Sequence, residues 1–101
     1  MSFFTKFQYS RPSKTIAWYY EIAPRDKKSY LETNYAGTRL WLGQTRDGAG
    51  TLTLTIINEW ESRSAFDQWV HDSELLEWHR ARDTYNNENG IVVLAEEYYS
   101  S

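Results

Sequence analysis

His79 is the side chain of this sequence best suited to acid–base chemistry, because a neutral imidazole can accept a proton near pH 7. It lies in a segment where apolar residues recur at helical spacing, from Leu75 to Tyr85. On such a helix Asp83 follows four residues later, close enough to fix the imidazole by a hydrogen bond. We therefore predict that His79 is a catalytic base and that Asp83 orients it. The alternative is structural, a half-buried histidine paired with Asp83 at the edge of a helix.

Aromatic residues are the main candidates for ligand contacts, since they make up 17% of the chain. Each ring brings roughly 150–250 Å² of surface to bury, which is more than one small core accommodates for all of them. We predict that four of them line a ligand cavity, with ordinary core packing as the alternative: Trp60, Phe66, Trp69 and Trp78. Arg82, three residues beyond His79, is close enough on a helix to reach an anionic group of the ligand. The consecutive residues 18–20, Trp-Tyr-Tyr, cannot all point inward on a strand, so we place them at the pocket mouth or at a dimer interface.

The elements that must position these residues follow from the period of the apolar pattern. Alternation predicts strands at residues 3–9, 38–45, 51–60 and 91–98, with a hairpin loop at 46–50. Leu40 and Leu42 are expected on one face of the second strand and Trp41 on the other. Residues 16–22 are ambiguous, but their β-branched and aromatic content, with Pro24 following, favours extended structure.

Helical spacing and capping residues predict three helices. The first begins at Pro24 and ends before Gly37, and the second is capped by Ser62 and runs to residue 70. The third covers residues 74–87, with Asp72 or Ser73 as its cap and Gly90 after its end.

The order β-α-β-β-α-β predicts an α+β fold of the ferredoxin-like type, a single domain over residues 1–101. Its four-stranded antiparallel sheet would carry the helices on one face. Apolar residues fall on both faces of the strands, for example Leu52 and Leu54 on one and Ile57 on the other. We therefore predict a homodimer that covers the open sheet face.

Composition argues against several classes of partner. The net charge is −3 and the 11 basic residues are scattered, so we expect no nucleic acid partner. No apolar run approaches the roughly 20 residues of a membrane helix, and no secretory signal is recognisable at the N-terminus. With no cysteine in the chain, we expect neither disulfides nor thiolate sites and a cytoplasmic location. The two histidines, His71 and His79, are two helical turns apart, so we expect no metal site.

Residues 57–69 read Ile-Asn-Glu-Trp-Glu-Ser-Arg-Ser-Ala-Phe-Asp-Gln-Trp, with Asp72 and Ser73 following. This segment resembles the dimeric α+β barrel superfamily, in particular the antibiotic biosynthesis monooxygenase-like proteins, whose strand end carries the pattern W-x-S-x-x-A-F-x-x-W. The resemblance covers about half of the chain, from the third strand onward. Before residue 38 the chain departs from the family, because residues 11–24 stand where the family runs from its first strand into a long helix. The resemblance implies a barrel-forming dimer and a pocket between helices and sheet.

Heme-degrading members of the superfamily share a further feature with this chain. They carry a tryptophan in the first of the paired helices and, ten residues later, a histidine that ligates the heme iron. Trp69 and His79 occupy the matching positions. These enzymes also use an asparagine on the first strand, where this chain has Gln8 as a substitute, and we include Gln8 among the expected ligand contacts.

Three functions therefore stay open. The first is a protein that binds a small apolar or aromatic molecule, whose enzymatic form would be a cofactor-independent monooxygenase. The second is a heme-binding, heme-degrading monooxygenase that uses His79 and Trp69. The third is a non-enzymatic structural or assembly domain.

Overall fold

A four-stranded antiparallel sheet and four helices make up the computed structural model, which describes residues 2–100. The strands are β1 (Phe3–Ser10), β2 (Trp41–Asp47), β3 (Thr53–Trp60) and β4 (Val92–Ser100). The helices are α1 (Tyr19–Ile22), α2 (Arg25–Asn34), α3 (Arg63–His71) and α4 (Leu76–Glu88), and a 3-10 turn (Ser73–Leu75) joins the last two. The α+β prediction is confirmed, and the strand order β2-β3-β1-β4 is compatible with a ferredoxin-like fold. The single-domain prediction extends to positions 1 and 101, which lie outside the described residues.

The register of the sheet decides which side chains face the helices. Phe3 pairs with Trp60, and Tyr9 pairs with Leu54, so these residues share one face. On this face Phe3 and Trp60 form a core with residues from the helices: Tyr35, Ala65, Phe66 and Leu75. A second core cluster at the other end of the sheet joins Trp18 and Ile91 to Leu54. The helices therefore rest on the two ends of the sheet.

The segment before α2 differs from the prediction. Residues 19–22 form the short helix α1, whereas the sequence favoured extended structure for residues 16–22. The effect of Pro24 on the preceding backbone is limited to Ala23, which is extended at φ −62° and ψ 151°. Tertiary contacts override the local preference, because the indole of Trp18 is 1% exposed and anchors the start of the helix in the core.

β2 begins later than predicted and carries an irregularity. The strand starts at Trp41 instead of residue 38, and its pairing with β3 shifts between Trp41 and Gly43. Leu40 and Trp41 both pack against the first core cluster, while Leu42 is 51% exposed. The prediction that Leu40 and Trp41 lie on opposite faces is therefore wrong, because strict alternation requires a regular strand on both sides.

Of the two predicted caps, Ser62 caps α3 as expected, whereas Asp72 caps the turn before α4 and α4 itself has no side-chain cap. The Ser62 hydroxyl accepts a hydrogen bond from the Ala65 amide at 3.2 Å, at the start of α3. Asp72 Oδ1 accepts from the Glu74 amide at 3.0 Å, but the turn that it caps is 3-10, so α4 starts only at Leu76. Gly90, at φ +70°, takes the left-handed conformation that ends the helical pair. Within residues 2–100 no helix combines the length and the apolar character that crossing a membrane requires.

Candidate functional site

A cavity of about 830 Å³ lies between the helices and the sheet. This volume is within the range of small-molecule sites, and the lining is mainly aromatic and aliphatic. Seven of the eight predicted site residues border it: Trp60, Phe66, Trp69, Trp78, His79, Arg82 and Asp83. The structure thus brings together residues from one strand and two helices that the sequence identified separately.

One end of the cavity is closed by packed rings centred on Trp60. Its centroid is 5.6 Å from that of Trp69 and 5.7 Å from that of Phe66. Trp60 is 3% exposed, and its Nε1 donates to the hydroxyl of Thr5 at 3.4 Å. The indole therefore has a partner for its polar atom, and the end wall that it forms is rigid.

His79 lies beside this wall with its ring edge-on to Trp69, at a centroid distance of 4.6 Å and an interplanar angle of 76°. Its Nε2 is buried and has no hydrogen-bond partner within residues 2–100. Burial lowers the pKa of His79, and the charge of Arg82 lowers it further. A backbone hydrogen bond at Trp69 raises the pKa, but the net shift is downward. The imidazole is therefore neutral at pH 7, which is the state that a general base or a metal ligand requires.

Asp83 lines the cavity, but its carboxylate accepts from Arg82 Nε at 3.2 Å. It reaches His79 only through its charge, which raises the pKa of the imidazole. The orienting contact predicted for Asp83 is therefore replaced by the backbone at Trp69. Because Arg82 is engaged with Asp83, its charge is already partly neutralised.

Gln8 is the predicted site residue that the cavity lining does not include. Its amide donates to the Thr55 hydroxyl at 3.2 Å, on the sheet face that turns away from the helices. Its neighbour Phe7 borders the cavity instead. The prediction that Gln8 contacts a ligand is therefore wrong for this fold. Side chains alternate along β1, and that of Gln8 points to the other face of the sheet.

Residues 18–20 all border the cavity, at the end away from Trp60. Trp18 Nε1 donates to the Gly48 carbonyl at 3.0 Å. The Tyr19 ring lies 5.5 Å from Trp78, nearly perpendicular to it, and the Arg46 guanidinium lies 4.0 Å from the centre of the Tyr20 ring. This segment supplies three of the cavity's rings.

Arg11 holds this segment in place, a role that the sequence did not reveal. Its side chain is 6% exposed and its guanidinium lies 4.3 Å from the Trp18 ring. Arg11 Nε donates to the Thr51 carbonyl at 2.8 Å, and a second nitrogen donates to the carbonyl of Ile16. A buried guanidinium needs such acceptors. Their positions, five and 40 residues away, are set only by the folded chain.

Asp72 joins α2 to the corner between α3 and α4. Its Oδ2 accepts from the hydroxyls of Tyr30 at 2.6 Å and Tyr35 at 2.7 Å. Burial by itself would raise the pKa of Asp72, but these two hydrogen bonds and the one from the Glu74 amide favour the carboxylate, and the pKa is lowered. The bond to Asp72 in turn raises the pKa of Tyr30 to about 12. The sequence identified Asp72 only as a cap, since partners 37 and 42 residues away leave no local pattern.

The sheet floor of the cavity also carries polar side chains, at positions where a sealed core would be apolar. Gln44 Nε2 donates to Asn58 Oδ1 at 2.9 Å, and both residues border the cavity. Trp41, nearby on β2, also borders it, and its buried Nε1 has no partner within residues 2–100. The cavity therefore combines aromatic walls with a few polar groups that can bind a ligand.

Comparison with protein-family models, with curated proteins and with solved structures finds no match to this chain. The argument for function therefore rests on the geometry of the cavity.

Proposed function

We propose that this protein binds a small apolar or aromatic molecule in the cavity between its sheet and helices. The observation that carries the proposal is the cavity itself, about 830 Å³ with walls of tryptophan, tyrosine and phenylalanine. Ring faces of this kind favour planar ligands, because offset and edge-to-face contacts add to the burial of apolar area. The resemblance of residues 57–69 to the monooxygenase-like proteins supports the same assignment.

In this proposal His79 acts as the base of a cofactor-independent oxygenation. Its lowered pKa keeps the imidazole neutral, and Nε2 has no competing partner within the described residues. Removal of a proton from an activated CH₂ group of the ligand gives a carbanion that molecular oxygen can oxidise. The CH₂ becomes a carbonyl, with one oxygen atom entering the product and the other leaving as water.

Filling the cavity tests the binding proposal. Ile56 borders the cavity, whereas its neighbour Ile57 points to the other face of the sheet. We expect naphthalene to bind the wild type saturably in equilibrium dialysis, and Ile56→Trp to weaken this binding at least about tenfold by occupying the space. The matched variant Ile57→Trp should bind as the wild type does. If both variants bind naphthalene as well as the wild type does, the cavity is not the site.

Heme is a second candidate, favoured by the position of His79 against Trp69. His79 would hold the heme iron through its unpartnered Nε2, while Gln8 does not fit the role of the first-strand asparagine because it lies on the other face. Bound heme would supply the iron centre that activates oxygen. Heme titration distinguishes this candidate: we expect a Soret shift in the wild type that His79→Ala abolishes. A shift that survives the substitution would exclude ligation by His79.

We further propose that a second copy of the chain covers the open sheet face. Phe4 and Tyr99 stack there at a centroid distance of 5.2 Å, and Tyr99 is 46% exposed. Ile57 lies on the same face, paired with Lys6 on β1. Burying this apolar surface against a symmetric copy would stabilise a domain of only 101 residues.

A further inference from the structure

The hydrogen-bonded amides of Asn58 and Gln44 are the feature of the cavity that an apolar ligand leaves unexplained. Asn58 is on the central strand β3, opposite Thr5 of β1 on one side and Gln44 of β2 on the other. Along β3 its side chain comes between Trp60 and Ile56 on the same face. Gln44 is exposed and Asn58 is half-buried, so the pair lies at the open part of the cavity floor. An apolar ligand that covered this position would leave the free polar groups of the pair without partners.

The pair can bind a ligand with both a donor and an acceptor. One N–H of Gln44 is used by the carbonyl oxygen of Asn58 at 2.9 Å. The Asn58 amide nitrogen and the Gln44 carbonyl oxygen stay available, and the count is the same if the two amides exchange roles. The pair thus offers free amide N–H groups and one free C=O at the cavity that both residues border.

The charges around the cavity argue against an ionised ligand. Cations and carboxylates both border it, in nearly equal number: Lys28, Arg46 and Arg82 against Glu21, Glu32, Asp83 and Glu96. Arg82 is already bonded to Asp83, and Arg46 stacks on Tyr20. No single sign of charge dominates the site, so the field of the cavity does not select an anion or a cation.

We propose that the ligand is a neutral, planar, ring-fused lactam, whose cis-amide edge pairs with Asn58 and Gln44 while its rings lie between the aromatic walls. A cis-amide places its N–H and C=O next to each other, which matches the N–H and C=O that the pair leaves available. This inference rests on the proposed binding function and names the chemical class of its ligand.

Two planar probes of similar size test it. 2-Quinolone has the cis-amide edge, and naphthalene has the same fused-ring shape without polar groups. In equilibrium dialysis we expect the wild type to bind 2-quinolone about tenfold or more tightly than naphthalene, which corresponds to two net hydrogen bonds. N-methyl-2-quinolone, which lacks the N–H, should lose most of this preference. That comparison needs no substitution in the protein.

Variants then assign the preference to the amide pair. Asn58→Leu should bring the two affinities within about twofold of each other, because only hydrogen bonding is removed. Gln8→Leu is the matched control, since it removes an amide bonded to Thr55 on the other face of the sheet and should keep the preference. Naphthalene binding without a preference for 2-quinolone, or a preference that persists in Asn58→Leu, would overturn the inference and leave the binding proposal standing. If neither probe binds the wild type, the binding proposal fails and the inference fails with it.

Discussion

Replacing Asp72 by alanine tests how the helices above the cavity are held together. The carboxylate accepts hydrogen bonds from Tyr30, Tyr35 and the Glu74 amide. Alanine removes them together. Because α2 contributes Leu31 to the cavity lining, the same change loosens one wall of the proposed site.

The cost follows from the burial of the partners. Tyr35 is 2% exposed, and a hydrogen bond from a buried hydroxyl to a charged acceptor contributes about 1.5–3 kcal/mol. The Gln68 carbonyl, 3.5 Å from the same hydroxyl, can recover part of this loss. Losing the cap on the Glu74 amide adds about 1 kcal/mol. We therefore expect Asp72→Ala to lower the free energy of unfolding by about 2–3 kcal/mol, a large share of the roughly 5–15 kcal/mol of a typical domain.

Urea denaturation at several pH values measures this cost and its origin. Since the pKa of Asp72 is below its ordinary 3.8 in the fold, its contribution is complete above that pH and is lost as the pH falls through the lower folded value. The pKa of Tyr30 is raised to about 12, so its contribution is complete below pH 10 and is lost as the pH rises toward 12. The stability difference between wild type and Asp72→Ala should therefore be largest between about pH 4 and pH 10.

Asp67→Ala is the matched control for this experiment. Asp67 is one turn away on α3 and contacts Arg63 at 4.0 Å in an exposed pair, so its loss should cost less than about 0.5 kcal/mol. The reasoning is refuted if Asp72→Ala is as mild as the control, or if its cost does not change across the pH range.

Two further predictions concern His79 and the open face. NMR titration of His79 should give a midpoint below 6.5, and because the fold disfavours the charged ring, the wild type should lose stability relative to His79→Gln as the pH falls below 6.5. A midpoint at or above 6.5 would contradict the burial argument. Sedimentation equilibrium should give twice the 12.0 kDa of one chain, and Ile57→Lys should return the mass to that of the monomer. A wild type that sediments as a monomer would exclude the dimer.

Local features of the structure were predictable from the sequence. The change from alternation to helical spacing after Trp60 places β3, α3 and α4 in the right order, and Ser62 caps α3 as expected. These features depend on residues within one or two turns of each other, so their physical causes are contained in short stretches of the chain. Trp69 and His79, which the sequence assigned separately to the site, lie edge to face because a connection of a few residues joins their helices.

The side of the sheet on which each strand residue lies was harder to predict. β1 carries Phe3 and Phe7 on one face and Phe4 on the other, so its pattern does not say which face the helices cover. Gln8 was assigned to the site because its position resembles that of the first-strand asparagine of heme-degrading proteins, and the alternation of β1 places its side chain on the opposite face. Because the strand pattern does not identify the covered face, the sequence did not point to the hydrogen bond between Asn58 and Gln44. This bond matters for ligand binding only because both residues border the cavity.

The sequence by itself determined the periods, the caps and the order of the elements, because these follow from backbone geometry and from contacts between near neighbours. Only the tertiary structure decided that Asp72 would receive two tyrosine hydroxyls and that Arg11 would lie over Trp18. It also decided that the helices leave a cavity above the sheet. Such contacts join residues far apart in the chain, and their free energy is realised only when the whole domain packs.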